Sequence, residues 1–290
     1  EAVAKASKNM HQQWDKLLEK NRFTAEQVTK FKANLHSASQ LSDLNDCDLV
    51  IEAIVERLDI KQSFFAELEQ IVQPSAVLVT NTSSLSVTAI ASALKRPAQF
   101  AGYHFFNPVP LMKVVEVIAG LKTNPHVCAS LTEYAKQMGH KAVNAQDTPG
   151  FIVNHAGRGY GTEALRIVSE GIADFATIDR ILKDQAGFKL GPFELMDLTA
   201  LDVSHPVMES IYKQYYEEPR YRPSVITAQR LAGGVLGKKV SDGFYKYENG
   251  TAQIPNEPPV PVVEEMPPVW VSTRAVRRVE LLQLLDRKST

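Results

Sequence analysis

The sequence predicts an α/β protein in two parts: a mostly parallel, doubly wound sheet followed by an all-α region. Three observations predict it. Short apolar runs alternate with amphipathic stretches as far as residue 145, as strands and crossover helices do in a parallel sheet. The pattern changes at Thr148-Pro149-Gly150, and apolar residues thereafter recur at helical spacing. The 290 residues, 44% hydrophobic and 22% charged, suffice for two ordinary domains with substantial cores.

Residues 1–35 read as two charged helices, with Leu17 and Leu18 on the apolar side of the first and Val28, Phe31 and Leu35 on the second. Asp48 to Ile54 reads as a buried strand, 59–72 as a helix, Ser75 to Thr80 as a strand ending at Asn81, and 86–94 as a short helix. Phe100 to Phe106 and Lys113 to Ile118 read as further strands. Residues 125–138 form a helix closed by Gly139, and Lys141 to Ala145 a last strand. Helices follow over 151–170, 175–186, 200–217 and 223–233, then a loop or small hairpin over 236–248. Six prolines within 255–268 have linker composition, and 269–290 reads as one more amphipathic helix without an assigned role. The expected boundaries are 1–148, 149–250 and 251–290.

A net charge of -1 and the lack of a Lys/Arg run interleaved with aromatics argue against a nucleic-acid partner. No apolar run reaches the roughly 18 residues of a membrane span. Cys47 and Cys128 form no CxxC pair, and no metal-ligand spacing occurs, so we expect two core thiols, no metal and a reducing compartment.

A doubly wound sheet that binds a dinucleotide opens with strand, Gly-x-Gly-x-x-Gly and helix. That fingerprint is missing, and we expect this chain to lack the phosphate-binding opening of such a domain. The nearest match, Gly157-Arg158-Gly159-Tyr160-Gly161, lies in the helical half. There, glycines either let helices pack closely or widen a pocket.

Four segments carry chemistry. In Tyr103-His-Phe-Phe-Asn-Pro108 a His closes a strand, where open α/β sheets place ligands; it is a general base or a core His bonded to a carbonyl. Glu116, twelve residues on, interrupts the apolar run Val114–Ile118. It either sits solvated on an alternating strand or receives the imidazole N–H. Asn81-Thr-Ser-Ser84 is an N-cap cluster, a set of hydroxyls aimed at a substrate oxygen, or both. Asn154, in Thr148-Pro-Gly-Phe-Ile-Val-Asn154, is a first-turn polar group or a second donor to that oxygen.

With Gly191-Pro-Phe-Glu-Leu-Met-Asp197, these motifs resemble, over residues 1–249, the L-3-hydroxyacyl-CoA dehydrogenase family, in the order and spacing of its motifs. The resemblance implies a Rossmann-type fold, NAD as cofactor, and oxidation of the 3-hydroxyl of an (S)-3-hydroxyacyl-CoA in fatty-acid β-oxidation. It makes His104 the base, Glu116 its partner, and Ser83 and Asn154 the groups on the 3-oxygen. It assigns NAD contacts to Ala53, Glu56, Lys61, Ser83, Asn107 and Lys239, and CoA contacts near Ser7. A homodimer through the helical region and a cytoplasmic location, or the mitochondrial matrix, also follow. Where the family has bulky residues this chain has Gly157, Gly159 and Gly161, so the acyl pocket is expected to be wide, with Arg158 facing a polar or acidic acyl end. The rival readings are a related dehydrogenase of another 3-hydroxy acid and a non-catalytic relative that keeps the fold and cannot bind NAD.

Overall fold

A computed structural model describes residues 2–257 and residue 259. The proposed helix at 269–290 and most of the proline-rich stretch lie outside the described residues. Residues 1–253 make one unit, and 254–290 fall outside it.

The chain opens with α1 (Ala2–Glu19) and α2 (Ala25–Ala33). Thr24 caps α2 through a reciprocal pair with Gln27. His11, Trp14, Phe31 and Phe23 stack in sequence between the two helices. Five strands follow: β1 (Leu49–Glu52), β2 (Val77–Thr80), β3 (Phe100–Phe105), β4 (Val114–Ala119) and β5 (Lys141–Gln146), hydrogen-bonded in that order. All neighbouring pairs are parallel except β3–β4. Helix α3 (Leu58–Ile71) joins β1 to β2, α4 (Val87–Ala91) precedes β3, and α5 (Pro125–Gln137) precedes β5. Asn124 caps α5, and Pro125 occupies its first turn, where the missing N–H costs nothing.

The period-two alternation of the strands separates two cores. Leu78, Phe100 and Ile118 join Phe65 and Leu68 of α3 and Val87 and Ile90 of α4. Val79, Tyr103, Val115 and Val117 join Val127, Leu131 and Ala135 of α5 on the opposite face. Gly102 is required where β3 passes α4: a Cβ there would lie 2.9 Å from both Ile118 Cβ and Val87 Cγ2.

The second half is helical, with α6 (Val153–Ala156), α7 (Arg158–Ser169), α8 (Phe175–Arg180), α9 (Pro192–Thr199), α10 (Leu201–Gln214) and α11 (Val225–Ala232) around Leu165, Phe193, Leu201, Met208 and Phe244. The sequence reading left α9 unassigned. Two buried carboxylates pin this half: Asp179 accepts from the amides of Phe193 and Glu194, and Asp197 from those of Phe244 and Tyr245. Gly191 and Gly243 lie against them so closely that a Cβ would come within 2.2 Å. The expected hairpin forms slightly later than read, from β6 (Lys246–Glu248) and β7 (Thr251–Gln253). Its turn is Asn249-Gly250, both at positive φ, as a two-residue hairpin requires.

Among the described residues no helix is long and apolar enough to cross a membrane. Cys47 and Cys128 are both free and half-buried.

Candidate active site

The short β3–β4 connection makes these strands antiparallel, and the register places His104 directly opposite Glu116. Directly opposed residues project to the same face, with Cβ atoms roughly 5 Å apart. His104 and Glu116 extend the row begun by Gly102 and Ile118. The Glu116 side chain is wholly buried and His104 nearly so. Glu116 is thus not the solvated member of an alternating strand.

The carboxylate is fully used. Oε2 lies 2.7 Å from His104 Nδ1, and Oε1 accepts from the amides of Ile152 and Val153, each at 2.9 Å. Burial alone would raise the Glu116 carboxyl; the imidazole and the two amides outweigh it and hold the group below its ordinary value. With Nδ1–H donated to the carboxylate, Nε2 is the acceptor nitrogen, and it meets no hydrogen-bonding group among the described residues. Phe106 and Phe151 pack on the imidazole at 4.6 and 5.8 Å between ring centroids. His104 is therefore not a core His bonded to a carbonyl; its imidazole is oriented by the Glu116 carboxylate.

The loop after β2 is built around Glu56 and does not act as a helix cap. Glu56 Oε1 accepts from the Thr82 hydroxyl at 2.5 Å, the Ser83 amide at 3.0 Å and the Ser84 amide at 3.2 Å. Burial pushes the Glu56 carboxyl up, but Thr82, Lys61 and Ser83 more than offset that and leave it below its ordinary value. The cap of α4 is supplied by Ser86 and by Asp147, whose carboxylate takes the amides of Val87 and Thr88 and the Ser86 hydroxyl. Ser83 turns its backbone carbonyl to Asn154 Nδ2 at 3.2 Å, and its hydroxyl bonds to no described residue. Asn81 Oδ1 accepts the amide of Phe105, next to His104, and so ties this loop to the base.

His104 is thus bonded to Glu116 and Asn154 to Ser83, the Glu116 carboxylate also takes the amide of Val153 next to Asn154, and Glu56, paired with Lys61, holds the Ser83 amide. Lys61 is fully buried and donates to Glu52 at 2.6 Å, with Glu56 at 3.2 Å. Ala53 is exposed at the end of β1, and Asn107 is exposed just after β3. Lys239 stands apart in an ion pair with Asp202 of α10. Ser7 bonds to Ser37 at the helical hairpin. Sequence reasoning missed Glu52, Thr82 and Asp147. Glu52 carried the same signal as Glu116, a carboxylate inside an apolar strand.

The carboxyl ends of β1 and β2 offer Ala53, the exposed apolar Ile54 and Val55, and the Ser83 hydroxyl. A small residue, a flat apolar surface and an unbonded donor fit the nicotinamide end of a dinucleotide. Ahead of β1 the described residues form α1, α2 and a 3-10 turn, and none is a glycine-lined strand-to-helix turn for the pyrophosphate. Gly157 links α6 to α7 and Gly159 and Gly161 lie within α7, so they do not form a strand-to-helix turn.

Residues 1–148 match the family model of the 3-hydroxyacyl-CoA dehydrogenase NAD binding domain, and 150–247 that of the C-terminal domain of the same enzymes. The chain belongs to the 3-hydroxyacyl-CoA dehydrogenase family. It is 40% identical over 247 residues to 3-hydroxyadipyl-CoA dehydrogenase of Escherichia coli, covering 85% of this chain and 52% of the relative. It is 42% identical over 232 residues to a probable 3-hydroxybutyryl-CoA dehydrogenase of Deinococcus radiodurans, covering 80% and 83%. The crystal structure of 3-hydroxybutyryl-CoA dehydrogenase from E. coli superimposes with a TM-score of 0.85 at 38% identity, over 91% of this chain and 55% of that one. This chain therefore spans about half the length of the E. coli relatives and most of the Deinococcus one. As a member of the 3-hydroxyacyl-CoA dehydrogenase family it has the doubly wound sheet and helical second half expected of the sequence, and its first half is an NAD-binding domain.

Proposed function

We propose that the protein oxidises the 3-hydroxyl of an (S)-3-hydroxyacyl-CoA with NAD. The observation that carries this reading is the buried His104–Glu116 pair, whose carboxylate is also fixed by two backbone amides. Nε2 of His104 accepts the hydroxyl proton, and Glu116 stabilises the imidazolium that forms. The Ser83 hydroxyl and the Asn154 carboxamide hold the 3-oxygen as its charge changes. NAD, when bound, is the hydride acceptor; Ala53, Glu56, Asn107 and Ser83 would hold its nicotinamide end. Lys61 acts through Glu56, whose acceptor atom positions Ser83. We assign Lys239 to the cofactor side of the cleft by family likeness alone.

A non-catalytic relative would have no reason to keep an acceptor nitrogen, an unbonded hydroxyl and a carboxamide on one interlinked frame. Exposed Leu195, Leu198 and Val203 on α9 and α10 and Ile181 just after α8 favour a homodimer through the helical region. Free thiols suit the cytoplasm or the equally reducing mitochondrial matrix. The test is NADH formation from (S)-3-hydroxybutyryl-CoA by the full chain. Absence of NADH from folded protein at saturating NAD overturns the reading.

A further inference from the structure

Arg158 is a half-buried charged group that the mechanism leaves unexplained. Its Nε and Nη1 atoms are enclosed and hydrogen-bond to nothing among the described residues. No carboxylate among the described residues pairs with it, and desolvation alone lowers its ordinary basicity. Hiding a guanidinium without an anion is costly, and burial of Arg is rare unless it is paired.

Its place in the chain says what the anion is. The backbone continues from α6 into α7 with only a one-residue interruption at Gly157, which keeps helical angles and bonds to the Val153 carbonyl at 2.8 Å. Asn154, Arg158 and Gly161 stand at i, i+4 and i+7 and share one helix face. A long helical side chain leans over the turn before its own Cα, so that of Arg158 leans over the turn that carries Asn154. A Cβ added at Gly161 or at Gly159 would meet no heavy atom within 4 Å. The space next to these two glycines is open, and they do not serve close helix packing.

We propose that Arg158 binds the terminal carboxylate of a dicarboxylic 3-hydroxyacyl-CoA, and so determines specificity at the acyl end. The proposal rests on the reading of Asn154 as the group on the 3-oxygen. Four residues of helix rise about 6 Å. Three carbon–carbon bonds beyond C3 span roughly 4 Å, and an N–H···O bond adds about 2.9 Å. A short acyl chain with a carboxylate at its far end keeps that carboxylate within about one helical turn of the 3-oxygen, where its oxygens can meet the guanidinium.

The test compares kcat/KM for two (S)-3-hydroxy six-carbon CoA thioesters, one ending in a methyl group and one in a carboxylate, on the full chain. The wild-type protein is expected to favour the carboxylate. In Arg158→Leu that preference ratio falls by about 10- to 100-fold, the range of a charged hydrogen bond lost from a buried site. In Arg158→Lys, which keeps the charge and loses the fork, it falls less. Arg158→Gln supplies the same ratio if the leucine variant does not fold. A ratio that stays within about threefold of wild type while both rates change together marks a packing residue and overturns the proposal. If the wild type oxidises neither thioester, the proposed function fails on its own. The ratio of the two dissociation constants by calorimetry, in wild type and variant, then decides the role of Arg158.

Discussion

At the scale of single residues, the roles proposed for His104 and Glu116 can be tested separately. His104→Gln keeps the size of the side chain and removes the acceptor nitrogen, so kcat is expected to fall about 10²- to 10⁴-fold while acyl-CoA binding persists. A kcat within threefold of wild type would remove His104 from the mechanism. Glu116→Gln takes the anion from the imidazolium and is expected to lower kcat. The same residue also contributes to stability. Its carboxyl is held below the ordinary value in the folded protein, so its contribution is complete above the unfolded value and is lost as pH falls through the lower, folded one. The stability gap between wild type and Glu116→Gln, from urea midpoints, should close as pH drops below about 4.5; a gap constant with pH would contradict the assignment. The pairing of His104 with Glu116, now seen at 2.7 Å, was legible in the sequence because one stands near a strand end and the other within an apolar run. Thr82 was not, because a hydroxyl in a row of hydroxyls does not show which one faces Glu56.

At the scale of elements, the sequence showed what each segment is better than how it is oriented. Strand β4 reads plainly as a strand, yet its antiparallel sense depends on the brevity of the segment 106–113, too short for a parallel crossover. Helix α9 was passed over because it spans only eight residues, with Phe193, Leu195, Met196 and Leu198 spread around it. Its start was marked all the same, by Pro192 in the first turn and by Glu194 reaching back to the Gly191 amide. Two predictions belong here. Asp147→Ala removes the carboxylate that takes two amides of α4 and should cost about 0.5–2 kcal/mol in denaturant unfolding. Gly191→Ala forces a methyl group into the Asp179 carboxylate and should cost about 1–3 kcal/mol. An unchanged midpoint in either variant would show that the element does not depend on that contact.

At the scale of the whole molecule, the change of pattern at 148–150 marked where the sheet gives way to helices, but not that the two halves share polar bonds. Gln214 of α10 donates to the Ser84 carbonyl at 2.7 Å, and Asn154 to that of Ser83, so the loop after β2 is held from both sides. Such bonds join residues far apart in sequence and leave no periodic trace. The exposed aliphatic residues of α9 and α10 lead to a prediction at this scale: the protein sediments as a dimer at micromolar concentration, and Leu198→Glu shifts it to monomer. A wild-type monomer under those conditions would show that this surface is not self-complementary.

The carboxylate of Glu116 is shared by the imidazole and by the amides of Ile152 and Val153. Those two amides are consequently built-in reporters. Any change at His104 alters the electron density on an oxygen pair that the amides also bind, so a substitution at His104 is expected to move the amide proton resonances of Ile152 and Val153. The same carboxylate is also a fastening: through it one strand of the sheet holds the backbone of the turn that opens the helical half.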